Sequence, residues 1–306
     1  MRNRFQYSVG VVAAVVAVGA SISSCSTETA DNAEIVATTG VWADVASAVT
    51  GSDVDAIITG DAVDPHHYEA SAKDLARIKQ ANTVVANGGG YDAALYTAAE
   101  QDRVVYAIPL LDAEEAHDHS HEHADHEHGD HHHHDTGSLD DIEHAWFAPA
   151  KVLQVAEDVA DRTGGDASDV QARIGVIQDK LNAVPHVHIG MTETIAAGLV
   201  WGTELHDITP EEYVKASLNH QEPSASAVAA FLEQIENGEL DMLFVNPQST
   251  NSATQRLADA AKANNVPVVE IRETPPAGQN FLDYFDQIVG QITDIAAHAE
   301  PTGHHH

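Results

Sequence analysis

Apolar and polar positions alternate along the first third of the chain in patterns that switch repeatedly between strand and helix. Ser71 and Asp74 form a capping-box pattern that predicts a helix running to about Gln80. A helix is also predicted over residues 41–49, which end just before Gly51. The short apolar runs that predict strands are residues 34–38, 54–58, 83–86 and 104–107. Strands separated by helices indicate parallel βαβ units with helices on both faces of a sheet.

A second alternating set follows two helical patterns at residues 149–162 and about 167–181. Its predicted strands are residues 187–189, 240–245 and 266–271, and its predicted helices are residues 193–200, 224–236, 252–263 and 281–297. The predicted fold class is therefore α/β, with two lobes built on parallel sheets and joined by helix. We assign residues 34–149 to the first lobe, 150–183 to connecting helices and 184–300 to the second lobe. Ligands of such sheets bind beyond the carboxyl ends of the strands, which favours a site in a cleft between the lobes.

The amino-terminal segment has the pattern of an export signal. Arg2 and Arg4 precede an uncharged apolar run over residues 9–20, which is shorter than the roughly 20 residues a membrane-spanning helix needs. Cys25 follows small residues in an arrangement that resembles the lipobox of bacterial lipoproteins. We therefore predict a lipoprotein signal peptide over residues 1–25, lipid attachment at Cys25, and a polar tether over residues 26–33. This predicts a lipid-anchored protein on the extracytoplasmic face of the cell membrane.

The charge of the chain is strongly negative, because 14 Lys and Arg face 48 Asp and Glu for a formal net charge of -34. Such a surface repels nucleic acid and concentrates cations nearby, although acidic surfaces also serve solubility alone. Cys25 is the single cysteine, so no intrachain disulfide can form. The composition therefore predicts no nucleic-acid partner and is compatible with a cation ligand.

Residues 117–134 break the α/β pattern. Ten of these eighteen residues are His and five are Asp or Glu, so the segment cannot build an apolar core. We predict a mobile surface loop that offers several weak metal sites. A passive insertion is the alternative.

Two histidines stand where metal ligands are expected. His66 follows the second predicted strand and a stiffening Pro65, and His144 lies between the His-rich segment and a helix, next to aromatic residues. Imidazole is a common ligand of zinc and similar metals. Each histidine taken alone is more often a solvated or capping side chain.

Two carboxylates stand at the ends of predicted strands in the second lobe. Glu193 follows the first of these strands, with His188 as a rival candidate on the strand itself, and Glu273 follows the last. Glu193 could instead complement a helix dipole, and Glu273 could instead pair with Arg272 or be an exposed loop acid. Two imidazoles and two carboxylates together complete a four-ligand site for a divalent cation.

These motifs, in this order, resemble the zinc- and manganese-binding solute receptors of bacterial ABC transporters. The resemblance runs from about Ile35 to Ile295. It is carried by Thr38-Thr39, Asp64-Pro65-His66 with Tyr68-Glu69, Asp74-Leu75, the run 81–88, His144-Ala145-Trp146 with Pro149, Thr192-Glu193 and Glu273. The resemblance implies two α/β lobes joined by one long helix, with the metal buried between them. It implies the ligands His66, His144, Glu193 and Glu273, with no ligand role for His67.

The resemblance leaves the metal open between zinc and manganese. The zinc receptors usually have His where this chain has Glu193, which favours manganese, whereas a His-rich segment before His144 is typical of the zinc receptors. We take zinc as the expected metal. The segment between residues 162 and 187 is short for the family's connecting helix, and Asn246 stands where many relatives carry an acid. We expect Asn246 to shape the cleft.

The resemblance implies a monomeric receptor that delivers metal to the membrane permease of an ABC transporter. An enzyme is not expected, since the chain contains neither His-Glu-x-x-His nor Gly-x-Ser-x-Gly. A surface metal-buffering or adhesive lipoprotein that works through its His-rich segment is the alternative function.

Overall fold

Two parallel four-stranded sheets organise the protein, as the alternating pattern predicts. The structure is a computed structural model that describes residues 35–60, 68–111 and 138–299. The first sheet has the order β2-β1-β3-β4 and the second has the order β6-β5-β7-β8. All pairs are parallel. The strands are β1 Ile35–Thr39, β2 Asp55–Ile58, β3 Thr83–Ala86, β4 Val104–Tyr106, β5 Val187–Met191, β6 Leu205–Asp207, β7 Met242–Val245 and β8 Val268–Glu270.

Helices follow most strands, which is what makes the strand pairs parallel. In the first lobe these are α1 Gly40–Thr50, α2 Ala72–Gln80 and α3 Ala93–Tyr96. The second lobe has α6 Ala197–Val200, α7 Glu211–Leu218, α8 Ala225–Glu236, α9 Ser252–Ala263 and α10 Phe281–Ala296. The predicted capping box at Ser71 and Asp74 is present at the start of α2. The sequence pattern missed β6 and α7, which are short and carry weak periodicity.

Two helices connect the lobes, α4 Pro149–Thr163 and α5 Ser168–Asn182. The one long helix that the resemblance implies is here divided by Gly164 and Gly165. Gly164 has a φ of 73°, a conformation that ends a helix at little cost only when the residue lacks a side chain. A Cβ on Gly165 would lie 2.5 Å from the main-chain oxygen of Val49, so the loop also packs closely against α1.

The last helix, α10, returns to the first lobe and joins the two halves of the core. The main-chain N–H of Phe281 donates to Asp44 of α1 at 2.6 Å, and burial raises the pKa of that carboxyl. Lys180 of α5 pairs with Asp286 of α10 at 2.6 Å. A single apolar cluster includes residues of α1, α4, α5 and α10. This shared layer positions the carboxyl ends of the two sheets relative to each other.

Several predicted features lie outside the described residues: the segment 1–33 with Cys25, the ligand candidate His66 and the His-rich segment 117–134. Within the described ranges, no helix is both long and apolar enough to cross a bilayer.

Candidate metal centre

Neighbouring strands of the second sheet end in polar residues that meet at one edge. Glu193 lies two residues beyond β5, Asn246 directly follows β7, and Glu273 lies three residues beyond β8. Since β5, β7 and β8 are adjacent and parallel, their carboxyl ends bring these side chains together. His144 comes from the other lobe, where it caps the short 3-10 turn Ala145–Phe147.

His144, Glu193 and Glu273 form a cluster with the geometry of a metal site, which we call the cleft cluster. Each offers one ligand atom, and these atoms all lie within 4.8 Å of one another. His144 Nε2 is 3.6 Å from Glu193 Oε1. His144 is 2 % exposed and Glu273 is 4 % exposed, so two of the three groups are held away from water. One imidazole and two carboxylates at this spacing fit a divalent cation of the zinc or manganese class.

Aromatic rings surround the imidazole of His144. The ring centroid of Tyr91 lies 6.0 Å away and that of Trp146 lies 5.2 Å away, both in edge-to-face geometry. The side-chain amide of Asn87 also donates to the main-chain oxygen of Glu143 at 2.7 Å and so holds the segment just before the histidine. These contacts restrict the ring orientation, as a preformed ligand requires.

Asn246 connects the two carboxylates of the cleft cluster. Its amide nitrogen donates to Glu193 Oε2 at 2.9 Å and to Glu273 Oε1 at 3.1 Å. Its own oxygen accepts from the main-chain N–H of Gln248 at 2.9 Å, which sets the orientation of the amide. Ser249 adds a hydroxyl donor to Glu193 Oε2. Asn246 is fully buried and thus shapes the cleft, in agreement with the expectation from its position.

Tyr91 links the first lobe to the second through the cleft cluster. Its hydroxyl donates to Glu273 Oε2 at 3.1 Å. Burial, together with the negative charge of Glu273, raises the pKa of Tyr91 well above its ordinary value, so the phenol stays protonated and remains a donor. Burial and Glu193 likewise raise the pKa of Tyr213 to about 12.

A buried carboxylate organises the loop that carries Tyr91. Asp92 accepts hydrogen bonds from the hydroxyl of Thr38 at 2.5 Å and from the main-chain N–H groups of Asn87 and Gly88 at 2.7 and 3.0 Å. Burial raises its pKa to about 6. Gly88 has a φ of 90°, and a Cβ there would lie 2.0 Å from the main-chain oxygen of Ile108. The loop therefore depends on glycine at this position.

The structure separates the two sequence candidates for the third ligand. Glu193 lies in the cleft cluster, whereas His188 lies near the start of β5 with its Nδ1 3.2 Å from the main-chain oxygen of Glu239. Five residues of extended chain span about 16 Å, so one metal ion cannot bind both. His66, the fourth candidate, lies outside the described residues.

The sequence pattern did not predict three polar neighbours of the site, Tyr91, Asp92 and Ser249. A signal for the first two was present, because Gly88-Gly89-Gly90 begins one residue after β3 and predicts a tight loop at a carboxyl edge. Ser249 carries no comparable signal, since a serine in a loop is commonplace.

Known structures share the fold. A structure described as the crystal structure of ZnuA matches with a TM-score of 0.59 and 16 % identity over 87 % of this chain and 98 % of that chain. The periplasmic zinc-binding protein TroA from Treponema pallidum matches with a TM-score of 0.58 and 17 % identity over 87 % and 98 %. A mutant of the laminin-binding adhesin Lmb from Streptococcus agalactiae matches with a TM-score of 0.58 and 13 % identity over 86 % and 99 %. At these identities the likeness establishes the fold alone.

A comparison with curated proteins found no match. The family model described as "ZnuA: Zinc-uptake complex component A periplasmic" matches residues 35–295. That match takes in both sheets, the connecting helices and all three residues of the cleft cluster. Because it covers far more than half of the sequence, the chain belongs to the ZnuA family of periplasmic zinc-uptake components.

Proposed function

We propose that this protein captures zinc between its two lobes and delivers it to the membrane permease of a metal ABC transporter for uptake. The observation that carries the proposal is the convergence of His144, Glu193 and Glu273, whose ligand atoms lie within 4.8 Å of one another between the lobes. His66 is the proposed fourth ligand, on the basis of its motif. The family match supports the transport role.

The ligand set supports a divalent cation as cargo. Two carboxylates that share the donor Asn246 repel each other in a partly buried site, and a bound cation relieves that repulsion. The imidazole nitrogen is a ligand of intermediate softness, and zinc favours such a ligand more than calcium or magnesium do. Zinc is the proposed cargo, because the family is described by zinc uptake and TroA by zinc binding. Manganese is the alternative that two carboxylate ligands favour.

Binding and delivery need ligands that are held in place yet come from both lobes. His144 and the hydroxyl of Tyr91 belong to the first lobe, whereas Glu193 and Glu273 belong to the second. A captured metal ion binds ligands of both lobes. A small separation of the lobes moves these ligands apart and releases the ion. The neutral imidazole and the ionised carboxylates bind, so capture competes with protons.

The deciding experiment is elemental analysis of protein purified without added metal, followed by competition between zinc and manganese. We expect one tightly held zinc per chain, which manganese displaces poorly. Protein that holds manganese and exchanges it slowly for zinc would overturn the choice of zinc. Protein with no tight site for either metal would overturn the receptor function.

Anchoring through Cys25 is part of the proposal. If Cys25 carries lipid, Cys25→Ser should move the protein from the membrane fraction into the medium. Ser24→Ala is the matched control and should stay in the membrane fraction. Equal membrane retention of both variants would mean that another anchor exists. Monomeric behaviour in sedimentation is expected for both.

A surface metal-buffering or adhesive lipoprotein is the second candidate, favoured by the His-rich segment and by the fold shared with the adhesin Lmb. Deleting residues 118–134 separates the two functions. A receptor should keep its single tight zinc phase in calorimetry and lose the weak, multiple-equivalent phase. Loss of the tight phase would place the working site in the His-rich segment and not in the cleft.

A further inference from the structure

Three histidines gather on the second lobe, far from the cleft cluster. Six histidines fall in the described residues, and His186, His188 and His206 are half of them. Their ring centroids are 5.4 Å apart for His186 and His188, 5.6 Å for His186 and His206, and 5.5 Å for His188 and His206. We name these three residues the surface histidine cluster.

The backbone brings the three rings together on one face of the sheet. His186 directly precedes β5 and His188 lies on it, two positions apart, so both point to the same side. His206 of β6 is the register partner of His188 on the adjacent parallel strand. Val187 and Ile189, which alternate with these histidines, are buried in the core on the opposite face. The clustering therefore follows from strand register and not from a particular side-chain rotamer.

The face is open to solvent at this end of the sheet. A Cβ on Gly190 would lie 2.7 Å from the ring of Phe231, so α8 covers the face from Gly190 onward. The helix ends at Glu236 and the chain turns at Gly238, whose φ is 71°. His186 and His206 are exposed and His188 is half-buried. Metal ions can thus reach the rings without any opening of the fold.

Neighbouring oxygens contact one ring nitrogen of two of the histidines. His188 Nδ1 lies 3.2 Å from the main-chain oxygen of Glu239, which can only accept, so the proton of the neutral ring sits on Nδ1. His186 Nδ1 lies 3.3 Å from the carboxylate of Glu204. Metal-binding histidines commonly donate one ring N–H to a carbonyl or carboxylate in this way and bind the ion through the other nitrogen. Both contacts engage Nδ1, so Nε2 is the nitrogen that would bind the ion in each ring.

The spacing of the rings matches that of a three-histidine zinc site. Imidazoles bound to one tetrahedral zinc through bonds of about 2.1 Å have ring centroids about 5 Å apart. Only the cleft cluster, among the described residues, already holds its ligand atoms within 4.8 Å of one another. The ligand nitrogens of the surface histidine cluster therefore come together only when the rings rotate about their side-chain bonds, a motion that exposed side chains such as His186 and His206 make rapidly.

We propose that His186, His188 and His206 form a second, exchangeable zinc site on the outer face of the second lobe. Three imidazoles provide three ligands and water provides the fourth, so the ion stays open to exchange. Glu204 and the main-chain oxygen of Glu239 contact the rings in the metal-free protein and do not themselves bind the ion. The site stands independently of the proposed function, since it shares no residue with the cleft cluster.

Long-range proton–nitrogen NMR of the imidazole rings tests the site in the full-length chain at about pH 7.5. Zinc is added beyond the equivalent that the cleft takes up, and signals are assigned from His186→Ala, His188→Ala and His206→Ala. We expect the Nε2 signals of the three rings to move together along one saturation curve. In each single variant, the zinc concentration at which the other two rings respond should rise by at least about 10-fold.

The controls separate this site from the other histidines and from the cleft. His298→Ala changes an exposed histidine outside the surface histidine cluster and should leave the shared curve unchanged. In Glu193→Gln the tight zinc phase should weaken while the shared curve persists, so failure of either proposal can be recognised separately. Three rings that titrate independently, or that do not respond below the zinc concentration at which His298 responds, would overturn the proposal.

Discussion

The cleft cluster and the surface histidine cluster place metal-binding side chains in opposite surroundings. The cleft cluster draws its three residues from positions 144, 193 and 273, across two lobes, and a network from Asn246, Ser249 and Tyr91 holds its carboxylates. The surface histidine cluster draws its three residues from two adjacent strands and leaves two of them exposed. The first is built by tertiary structure and the second by strand register.

The difference concerns how much of the binding energy is lost to ordering the ligands. In the cleft, packing and hydrogen bonds hold the side chains near one another before an ion arrives, so little rotamer entropy is lost on binding. On the surface, three rings, two of them exposed, must rotate together and give up that freedom. A tight receptor site and a weak, exchangeable site can therefore arise in one protein from similar residue types.

The largest effect is expected when the cleft loses a ligand. His144→Ala should weaken tight zinc binding by at least about 100-fold, or roughly 2.7 kcal/mol, because a ligand is removed and the buried space cannot supply another. Competition calorimetry against a chelator measures this, with His206→Ala as the matched variant from the surface histidine cluster. Equal loss in both variants, or loss in neither, would remove the distinction between the two sites.

An intermediate effect is expected from the network around the cleft. Asn246→Ala removes the donor shared by Glu193 and Glu273 and should weaken tight zinc binding about 10-fold, as is common for groups that orient metal ligands. The metal-free melting temperature should be measured in parallel, since Asn246 also holds the turn at Gln248. Asn264→Ala, on an exposed helix end, is the control. Unchanged affinity in Asn246→Ala would show that the carboxylates need no shared donor.

Acid should weaken the cleft site through its imidazole. An imidazole with the reference pKa of about 6.5 is about nine-tenths protonated at pH 5.5, so each histidine ligand contributes a loss of about 10-fold between pH 7.5 and 5.5. The affinity falls as the pH is lowered, because the neutral ring binds metal and the protonated ring does not. Titration at fixed ionic strength measures the effect. Affinity that stays flat over this range would exclude histidine ligation in the cleft.

Asp92 should make the metal-free fold less stable as the pH rises from about 4 to 6. Its folded pKa of about 6 lies above the unfolded value of 3.8, so the folded state holds the proton more firmly and loses that advantage as the carboxyl ionises. Denaturant unfolding of wild type and Asp92→Asn compares the slopes in this window. In the variant, the free energy of unfolding should fall less steeply with pH over this window. An equally steep fall in both proteins would mean that groups other than Asp92 cause it.

The smallest effect is expected on stability at the surface. His186→Ala and His206→Ala should each change the free energy of unfolding of the metal-free protein by no more than about 0.5 kcal/mol, because both side chains are exposed. Denaturant unfolding in the presence of a chelator provides the measurement. A larger loss would mean that the histidines support the fold itself, and the clustering would then need no metal to explain it.

The sequence alone predicts the α/β class because the periods of its apolar positions are local. The helix at Ser252–Ala263 and the strand at Thr83–Ala86 have the predicted bounds, and the capping box at Ser71 forms as its spacing predicts. Strand β6 was missed because only Leu205 of its three residues is buried, which leaves no period to detect. Without β6, the pairing of His206 with His188 was also hidden.

The sequence also predicts that Glu193 and Glu273 follow strands, and the motif around His144 indicates its place beside aromatic rings. Local pattern does not determine which of Glu193 and His188 reaches the cleft, because both lie on or next to the same strand. The direction of β5 decides it, since Glu193 leaves the carboxyl end and His188 sits near the amino end. The bonds from Asn246 and Tyr91 to Glu273 join residues 27 and 182 positions apart. The bond from Asn246 depends on the pairing of β7 with β8, and the bond from Tyr91 depends on the packing of α10 against α1 and α5, which brings the two sheets together. Tertiary structure therefore decided the network around the site.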